Sequence, residues 1–546
     1  MKHPLRLALW LVVTFATAIP VMAQRGVPRA TVVYAVGREP TTWIPLLTLN
    51  REENEDLADQ LFLHLVVFAP GAKGTADASM APALAKGWHR VDPLTVVFDI
   101  DPRSRWHDGA PVNAHDVLYT WGLASNSSLP TYQSRMEPVA SVEAVGDMSV
   151  RVRFKRPSVE QVYTFGFLLQ PLPAHLLEKL AADAIGTSEF AQHPVGNGPF
   201  RFERRVAGQS IELRADSTFF LGRPTVTRLL IRTIVDPTAR VNAFVTGETD
   251  VLDKIPVQSL AQVQQHAGGR VTDPGSNVLV YMLFNTRSSA DSSKPHPLFS
   301  DPRVREALTL ALDRTTIAQS TFGPSAMVPD AAQSQLWRWI TGGSVAATAT
   351  NVAKARVLLA QAGWRDANND GVLDKNGVPF KFTVLYASSS EPNNRIALES
   401  QPLWRAVGVD AQIDKVEGAV VQKRVPTGQF DVWITRVGQD PTPTSLIQSW
   451  SCASARQPGS TNFSHWCDST FDRLVSTAAA AKDQPKAWRA VLTEMANQHP
   501  AIFIAAPGNP IAIHQRFENA VLWPSHSWLS LWQWRVRPGA ALARDQ

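Results

Sequence analysis

The sequence predicts a mixed α/β protein large enough for two or more lobes. Three observations carry that expectation. The chain has 546 residues, 44% of them hydrophobic and 18% charged, which suits folded domains with sizeable cores. β-rich apolar runs such as Ala30–Val36, Val278–Phe284 and Ile511–His514 alternate with amphipathic segments that open on Asp or Asn or close on Gly. No repeat of 20–50 residues and no low-complexity linker interrupts the alternation.

At the N-terminus, Met1–Ala23 reads as a secretory signal: Lys2 and Arg6 supply the charged start, Leu7–Ile19 the apolar stretch, and Pro20 breaks the helix before the small Ala23. The apolar run falls short of the ~20 residues a membrane span needs, so cleavage after Ala23 is expected, with Gln24 leading the mature chain. No Cys follows the apolar run to carry a lipid. The expected product is soluble and exported, and in a Gram-negative cell periplasmic. The formal charge of +5 falls to +3 once Lys2 and Arg6 leave with the leader. Without a long Lys/Arg run, that balance gives no reason to expect nucleic acid as a partner. Cys452 and Cys467 are the only cysteines. In an exported chain such a pair reads as a disulfide more readily than as a metal or redox site.

The elements follow in order. Ala30–Val36 is a strand ended by Glu39-Pro40, and Leu57–Phe68 is apolar enough for a helix or a helix–strand pair ahead of the soft loop Pro70–Ser79. Leu94–Ile100 alternates as a strand. In Arg105–Leu123, RWHDGAPVNAHDVLYTWGL, Asp108-Gly109 signals a turn, Pro111 stiffens its exit, and Asn113 caps a helix with Asp116 three residues on. Ser141–Phe154 reads as a hairpin around Gly146-Asp147, and Ala174–Ala182 as a helix after Pro173. In His193–Phe202, HPVGNGPFRF, two glycines and two prolines fix an unusual backbone path. No Lys-Ser/Thr follows, so a crossing between subdomains is the better reading than a phosphate cradle. Gln209–Arg214 and Leu229–Val235 are strands, Asp236–Asp250 a helix, and Asp301-Pro302 opens another helix after the strand Val278–Phe284. Lys354–Gly363 is a short helix. Asp366–Asp374, DANNDGVLD, is spaced like a calcium loop with Gly371 sixth, but Gly377 stands where a bidentate Glu is needed, which favours a solvated turn. Phe380–Leu385, Ala411–Val416, Phe430–Val437, Ile502–Ala506 and Ile511–His514 read as strands, Glu399–Val407 and Lys486–Gln498 as helices. A Trp-rich tail (Trp523, Trp528, Trp532, Trp534) ends the chain.

Four strings in this series resemble the signatures of one family, in its order: the segment Ala83–Ile100, the aromatic-x-Asp-Gly-x-Pro motif at Trp106–Pro111 with Asn113-Ala114-x-Asp116-Val117, the Pro-Val-Gly-Asn-Gly-Pro-Phe motif at Pro194–Phe200, and Asp301–Leu308 with Ala311–Arg314. On these the chain is identified as similar to the extracytoplasmic solute-binding proteins of ABC importers, peptide-binding family 5. The likeness runs from about residue 30 to about 530. Around Ser451–Val475 it is greatest to the dipeptide-binding branch, where the two cysteines stand as a disulfide pair.

The resemblance implies a type II-like periplasmic binding protein fold, two lobes joined by a two-strand hinge. Lobe I would comprise 24–283 and 514–546 with an extra subdomain near 70–195, and lobe II 284–513. It implies a monomer that captures a peptide or peptide-like solute between the lobes and delivers it to an inner-membrane ABC permease, with no cofactor and no chemistry on the ligand. Arg395, ahead of Trp404 and Val407-Gly408-Val409, aligns as a candidate for the ligand carboxylate, with a solvated helix-face arginine as the alternative. At the family's amine-binding Asp this chain has Val437, followed by Gly438. Asp440, before Pro441, is the nearest acid and either reads the amine or caps the turn. Trp433 and Trp450 are candidate pocket aromatics or core residues. The same fold carrying a metal chelate, haem or sugar-type solute is the first rival reading, although the thirteen His show no cluster in the sequence. An exported hydrolase, using His107-Asp108 and His115-Asp116 as ligands, is the second. A sensor that never meets a permease is a third.

Overall fold

In the computed structural model the described residues are 30–48, 52–70, 72, 74–125, 129–337, 340, 348–440, 442–457, 459–481, 483–523 and 526–545; the expected leader lies outside them. Two large sheets dominate. The first has seven strands, in the order Gly269–Thr272, Ile511–His514, Val251–Leu252, Ala30–Val36, Val226–Thr233, Ser210–Ala215 and Phe200–Val206. Ala30–Val36 is buried along its whole length because it runs in the middle, parallel to Val226–Thr233 on one side and Val251–Leu252 on the other. The second has five strands, in the order Asp410–Val416, Lys381–Ala387, Val432–Gly438, Val278–Phe284 and Ala501–Ala505. A four-stranded antiparallel sheet, Ala85–Asp92, Thr95–Ile100, Ser149–Phe154 and Val139–Ala144, stands beside the first within the segment expected as an insertion.

The continuous apolar run Val278–Phe284 is explained by its position. Leu279, Tyr281 and Leu283 enter one core with Trp450, Phe471 and Phe503, while Val280, Met282 and Phe284 enter another with Phe382, Trp404 and Ile434. Alternate side chains feed opposite faces, so neither face can be polar. This strand pairs along its length with Val432–Gly438 and Ala501–Ala505, so the expected division at 283/284 falls at its far end. Ile511–His514 pairs within the seven-stranded sheet, so the division at 513/514 likewise falls inside a strand. The chain changes sheets at residues 273–277 and 506–510. These two crossings run side by side: Asn509 N–H donates to Asp273 Oδ1 at 2.9 Å, and the Ser276 hydroxyl donates to the Pro507 carbonyl at 2.6 Å.

The glycine motif at 196–198 joins the first lobe's parts. Helix Glu52–Leu61 ends against it, the Leu61 carbonyl accepting from both Asn197 and Gly198 N–H, while Asn197 Oδ1 takes Leu63 N–H. The approach is so close that a Cβ on Gly196 would lie 1.9 Å from the Leu61 oxygen. His107, from the Asp-Gly turn, lies across the same loop: its Nδ1 accepts from Gly196 N–H and its Nε2 donates to the Gly198 carbonyl. Two of the family-like strings thus form one joint. The Asn113 cap is present with Asp116 closing the box. Three helices differ from expectation: the one expected over Asp236–Asp250 stops at Val245, and two others differ more. Ala174–Leu177 is a single turn, and the helix expected over Glu399–Val407 starts at Glu391, where Ser390 caps it and Pro392 fits the first turn. Asp366–Asp374 is an exposed turn whose carboxylates accept backbone N–H groups of Gly371, Val372 and Ala367.

Candidate functional site

Between the sheets, the second lobe presents one short stretch. Strand Val432–Gly438 delivers the chain into a loop, and Val437, Gly438, Gln439, Asp440, Ser445, Leu446, Gln448, Ser449 and Trp450 line a pocket of about 120 Å³ with Leu279, Tyr281 and Ala332. Polar bonds pin the loop. Gln439 N–H donates to the Asn277 carbonyl at 2.8 Å, its side chain takes Ser334 N–H and gives to the Ala332 carbonyl, and Trp337 Nε1 donates to the Asp440 carbonyl at 2.9 Å. Trp450 is buried, its ring 5.8 Å from that of Tyr281. Disulfide Cys452–Cys467 closes the segment immediately after it, a restraint worth roughly 3 kcal/mol for a loop of this length.

The facing wall belongs to the first lobe and comes from several segments. Arg135 lies over the Tyr132 ring, 5.1 Å from its centroid. Burial alone would lower its guanidinium, yet Tyr132, Asp440 and Glu55 hold it above its usual value. Tyr163 is fully buried and its hydroxyl has no hydrogen-bond partner among the described residues. Burial, then the nearby Asp440 charge, pushes that hydroxyl well up. Glu160 bridges the lobes: it accepts from Thr75 at 2.6 Å on its own side and from the Thr442 and Thr444 hydroxyls across the cleft. Burial raises its carboxyl against those three bonds. Asp440 therefore faces a half-buried cation and a buried phenol, in a region where charge is less screened than in open water.

Deeper in the same wall, Asp59 accepts from Gln170 and lies between two imidazoles, His64 Nε2 at 3.0 Å and His526 Nδ1 at 2.6 Å. Burial would raise the Asp59 carboxyl, but His526 and His64 outweigh it and hold it well below the usual range. Burial would lower the His526 imidazole, but Asp59 raises it. This overturns the expectation of unclustered histidines: the two rings come from sequence-distant segments, which no local pattern could have linked.

Of the candidates from sequence, Asp440, Val437, Gly438 and Trp450 meet in one pocket. Trp433 is not part of its lining; it packs edge-on to Phe463 and Phe430. Arg395 is exposed on helix Glu391–Arg405 and donates to the Ser320 carbonyl at 3.0 Å. The four residues considered for a hydrolase go separate ways: His107 to Gly196 and Gly198, Asp108 to His175, His115 to Glu178, and Asp116 to Trp106 and the Ala174 N–H. Arg135, Glu160 and Tyr163 were missed. They occupy unremarkable helical and loop contexts, and only the tertiary fold turns them toward Asp440.

The chain is similar to known proteins over nearly its whole length. It is 25% identical over 524 residues to the oligopeptide-binding protein AppA of Bacillus subtilis, covering 92% of this chain and 91% of the relative. A Brucella ovis protein named as an ABC transporter peptide-binding protein is 30% identical over 362 residues, 65% of this chain and 64% of its own. The fold agrees with the structure of Bacillus subtilis AppA in complex with a nonapeptide (TM-score 0.74, 23% identity, 93% of this chain and 100% of that one) and with Campylobacter jejuni NikZ in complex with Ni(L-His) (TM-score 0.74, 22% identity, 93% and 100%). Among the described residues no helix is long and apolar enough to cross a membrane. The profile of the middle part of the bacterial extracellular solute-binding proteins, family 5, matches residues 79–457, and the chain belongs to that family.

Proposed function

We propose that this chain is the capture component of an ABC importer, a monomer that closes on a peptide or peptide-like solute between its lobes and presents it to an inner-membrane permease. The observation that carries the reading is the meeting of opposite charges across the cleft. Asp440 of the second lobe faces Arg135 and the unpartnered Tyr163 hydroxyl of the first, beside the backbone of residues 437–440. A zwitterion with a polar backbone suits such a lining, because its amine and its carboxylate each find an opposite charge on one of the two walls. In this reading the lobes are 30–272 with 511–545, and 278–505, hinged at 273–277 and 506–510, where rigid-body closure would concentrate its backbone changes. Asp440 reads the ligand's amine, and Arg135 rather than the exposed Arg395 reads a carboxylate. Val437, Gly438 and Trp450 shape the wall, and Trp433 supports it from behind. Export by a cleaved leader at Met1–Ala23 and the absence of chemistry on the ligand belong to the same proposal. AppA, solved with a nonapeptide, supports the solute class.

A thermal-shift screen tests it, using mature protein against di-, tri- and oligopeptides, each with an N-acetylated twin. A ligand at ~100 times its dissociation constant adds about 2.7 kcal/mol. The expected result is a shift for free peptides that shrinks on acetylation. Equal shifts for both twins would take the amine away from Asp440, and no shift with any peptide would overturn the peptide reading.

A further inference from the structure

The Asp59–His64–His526 cluster gathers two imidazoles and a carboxylate at one buried point of the first wall. His64 directs Nδ1 at the Phe167 carbonyl, which can only accept, so Nδ1 carries a proton. Its Nε2 faces Asp59 Oδ1, 3.0 Å away. A proton on Nε2 satisfies that contact, and so does a metal ion held by both atoms. A backbone carbonyl holding the remote nitrogen is the support that fixes a histidine as a metal ligand. One donor atom each from Asp59, His64 and His526 fall within 4.8 Å of one another. Bonds of about 2.0–2.2 Å to nitrogen and oxygen would draw those three atoms together around one ion. The side chains of Asp59 and His64 are 1% and 5% exposed, whereas that of His526 is 20% exposed, giving an entry side. The His64 ring is also stacked on Phe167, 4.2 Å between centroids and 3° from parallel, so it is held in place without a metal.

We propose that Asp59, His64 and His526 bind one divalent transition-metal ion, of the zinc or nickel type, at the edge of the cleft. Two imidazoles and a carboxylate suit that class and disfavour calcium or magnesium, which prefer all-oxygen shells. Three protein ligands leave at least one coordination position for water or for a donor atom of a bound solute. Only that last use rests on the proposed capture function; the ion site stands without it.

The test uses mature full-length protein stripped with chelator and titrated with Zn²⁺ and, separately, Ni²⁺ by calorimetry, with no peptide present. One equivalent should bind, and the absorption fine structure of the bound metal should show two imidazoles and one carboxylate. His526→Ala, at the exposed corner, should weaken binding about 100-fold or more, since loss of an indirect support alone costs 10–100-fold. His64→Gln should do the same, with circular dichroism reporting its folding. If His64→Gln misfolds, the His526→Ala titration and the wild-type spectrum decide. Failure of wild-type protein to bind either ion, or binding unchanged in His526→Ala, would overturn the site and leave a proton between His64 and Asp59. Because peptides are absent, failure here leaves the peptide screen untouched, and a failed peptide screen leaves this titration untouched.

Discussion

Most of the second-lobe wall of the cleft comes from one stretch, Val437–Asp440 and Thr442–Trp450, joined by Leu279, Tyr281 and Ala332 and braced by a disulfide two residues later. The first-lobe wall gathers Glu55 and Asp59 from one helix, Arg135 from another, Glu160 from a turn and Tyr163 from the short helical segment that follows it, and His526 from the C-terminal tail. A wall made from contiguous chain can change a residue without disturbing much else. The assembled wall depends on joints between segments, and its weak points lie at those joints rather than among the groups facing the cleft.

The largest effect should therefore come from the joint at Gly196. A methyl group there would sit 1.9 Å from the Leu61 oxygen and 2.8 Å from its carbonyl carbon, both backbone atoms at the end of the helix carrying Glu55 and Asp59. Gly196→Ala should cost about 4 kcal/mol or more, beyond the range of ordinary substitutions, read from urea unfolding. A variant with an unchanged midpoint would show that the first wall does not hang on this contact and would break the contrast between the two walls.

A middle-sized effect comes from His107 in the same joint. Burial lowers its imidazole to about 4, and the Nδ1 acceptor bond from Gly196 holds the neutral ring. The folded state thus binds this proton less readily than the unfolded chain, whose histidine titrates near 6.5. The stability it contributes is complete above pH ~6.5 and drains away as pH falls toward 4, by roughly 2 kcal/mol given the partly open ring edge. His107→Asn should flatten that part of the stability–pH profile. In the second lobe His499 is likewise lowered to about 4 by burial, so some slope should survive in the variant. A profile identical to wild type would remove His107 from the joint's energetics.

What was legible in the sequence follows the same division. Val437, Gly438, Asp440 and Trp450 could be nominated because the family resemblance places the amine-reading position on one contiguous stretch, where an alignment keeps its register, and the fold brings that stretch to one pocket. The buried strand Val278–Phe284 was equally plain, since a run apolar on every residue has to be covered on both faces. Its sheet was harder to read, because hydrophobicity alone does not say which neighbours a strand pairs with, and the crossings lie a few residues before the apolar runs themselves. His64 and His526 could not be joined at all: Asp59 and His526 are 467 positions apart, and each histidine has an ordinary local context. Arg395 illustrates the opposite error source. An alignment of one arginine near a Trp-Val-Gly segment places it on the right helix, but helix rotation decides which way it faces, and this one faces solvent and Ser320.

The smallest effects should separate the two candidate charges directly. Asp440→Asn keeps the loop's shape, because the Trp337 bond goes to the backbone carbonyl and not to the carboxylate. It removes the charge facing Arg135, so affinity for a free-amine peptide should fall about tenfold, roughly 1.4 kcal/mol, while the acetylated twin is unaffected. Arg395→Ala deletes an exposed group whose visible partner is the Ser320 carbonyl, and should alter peptide affinity by less than about twofold, with a stability change within ~0.5 kcal/mol. Calorimetry on both variants with the same peptide pair makes the comparison. If Arg395→Ala weakens binding more than Asp440→Asn does, the ligand reaches helix Glu391–Arg405, and the second wall extends well beyond the stretch that now forms most of it.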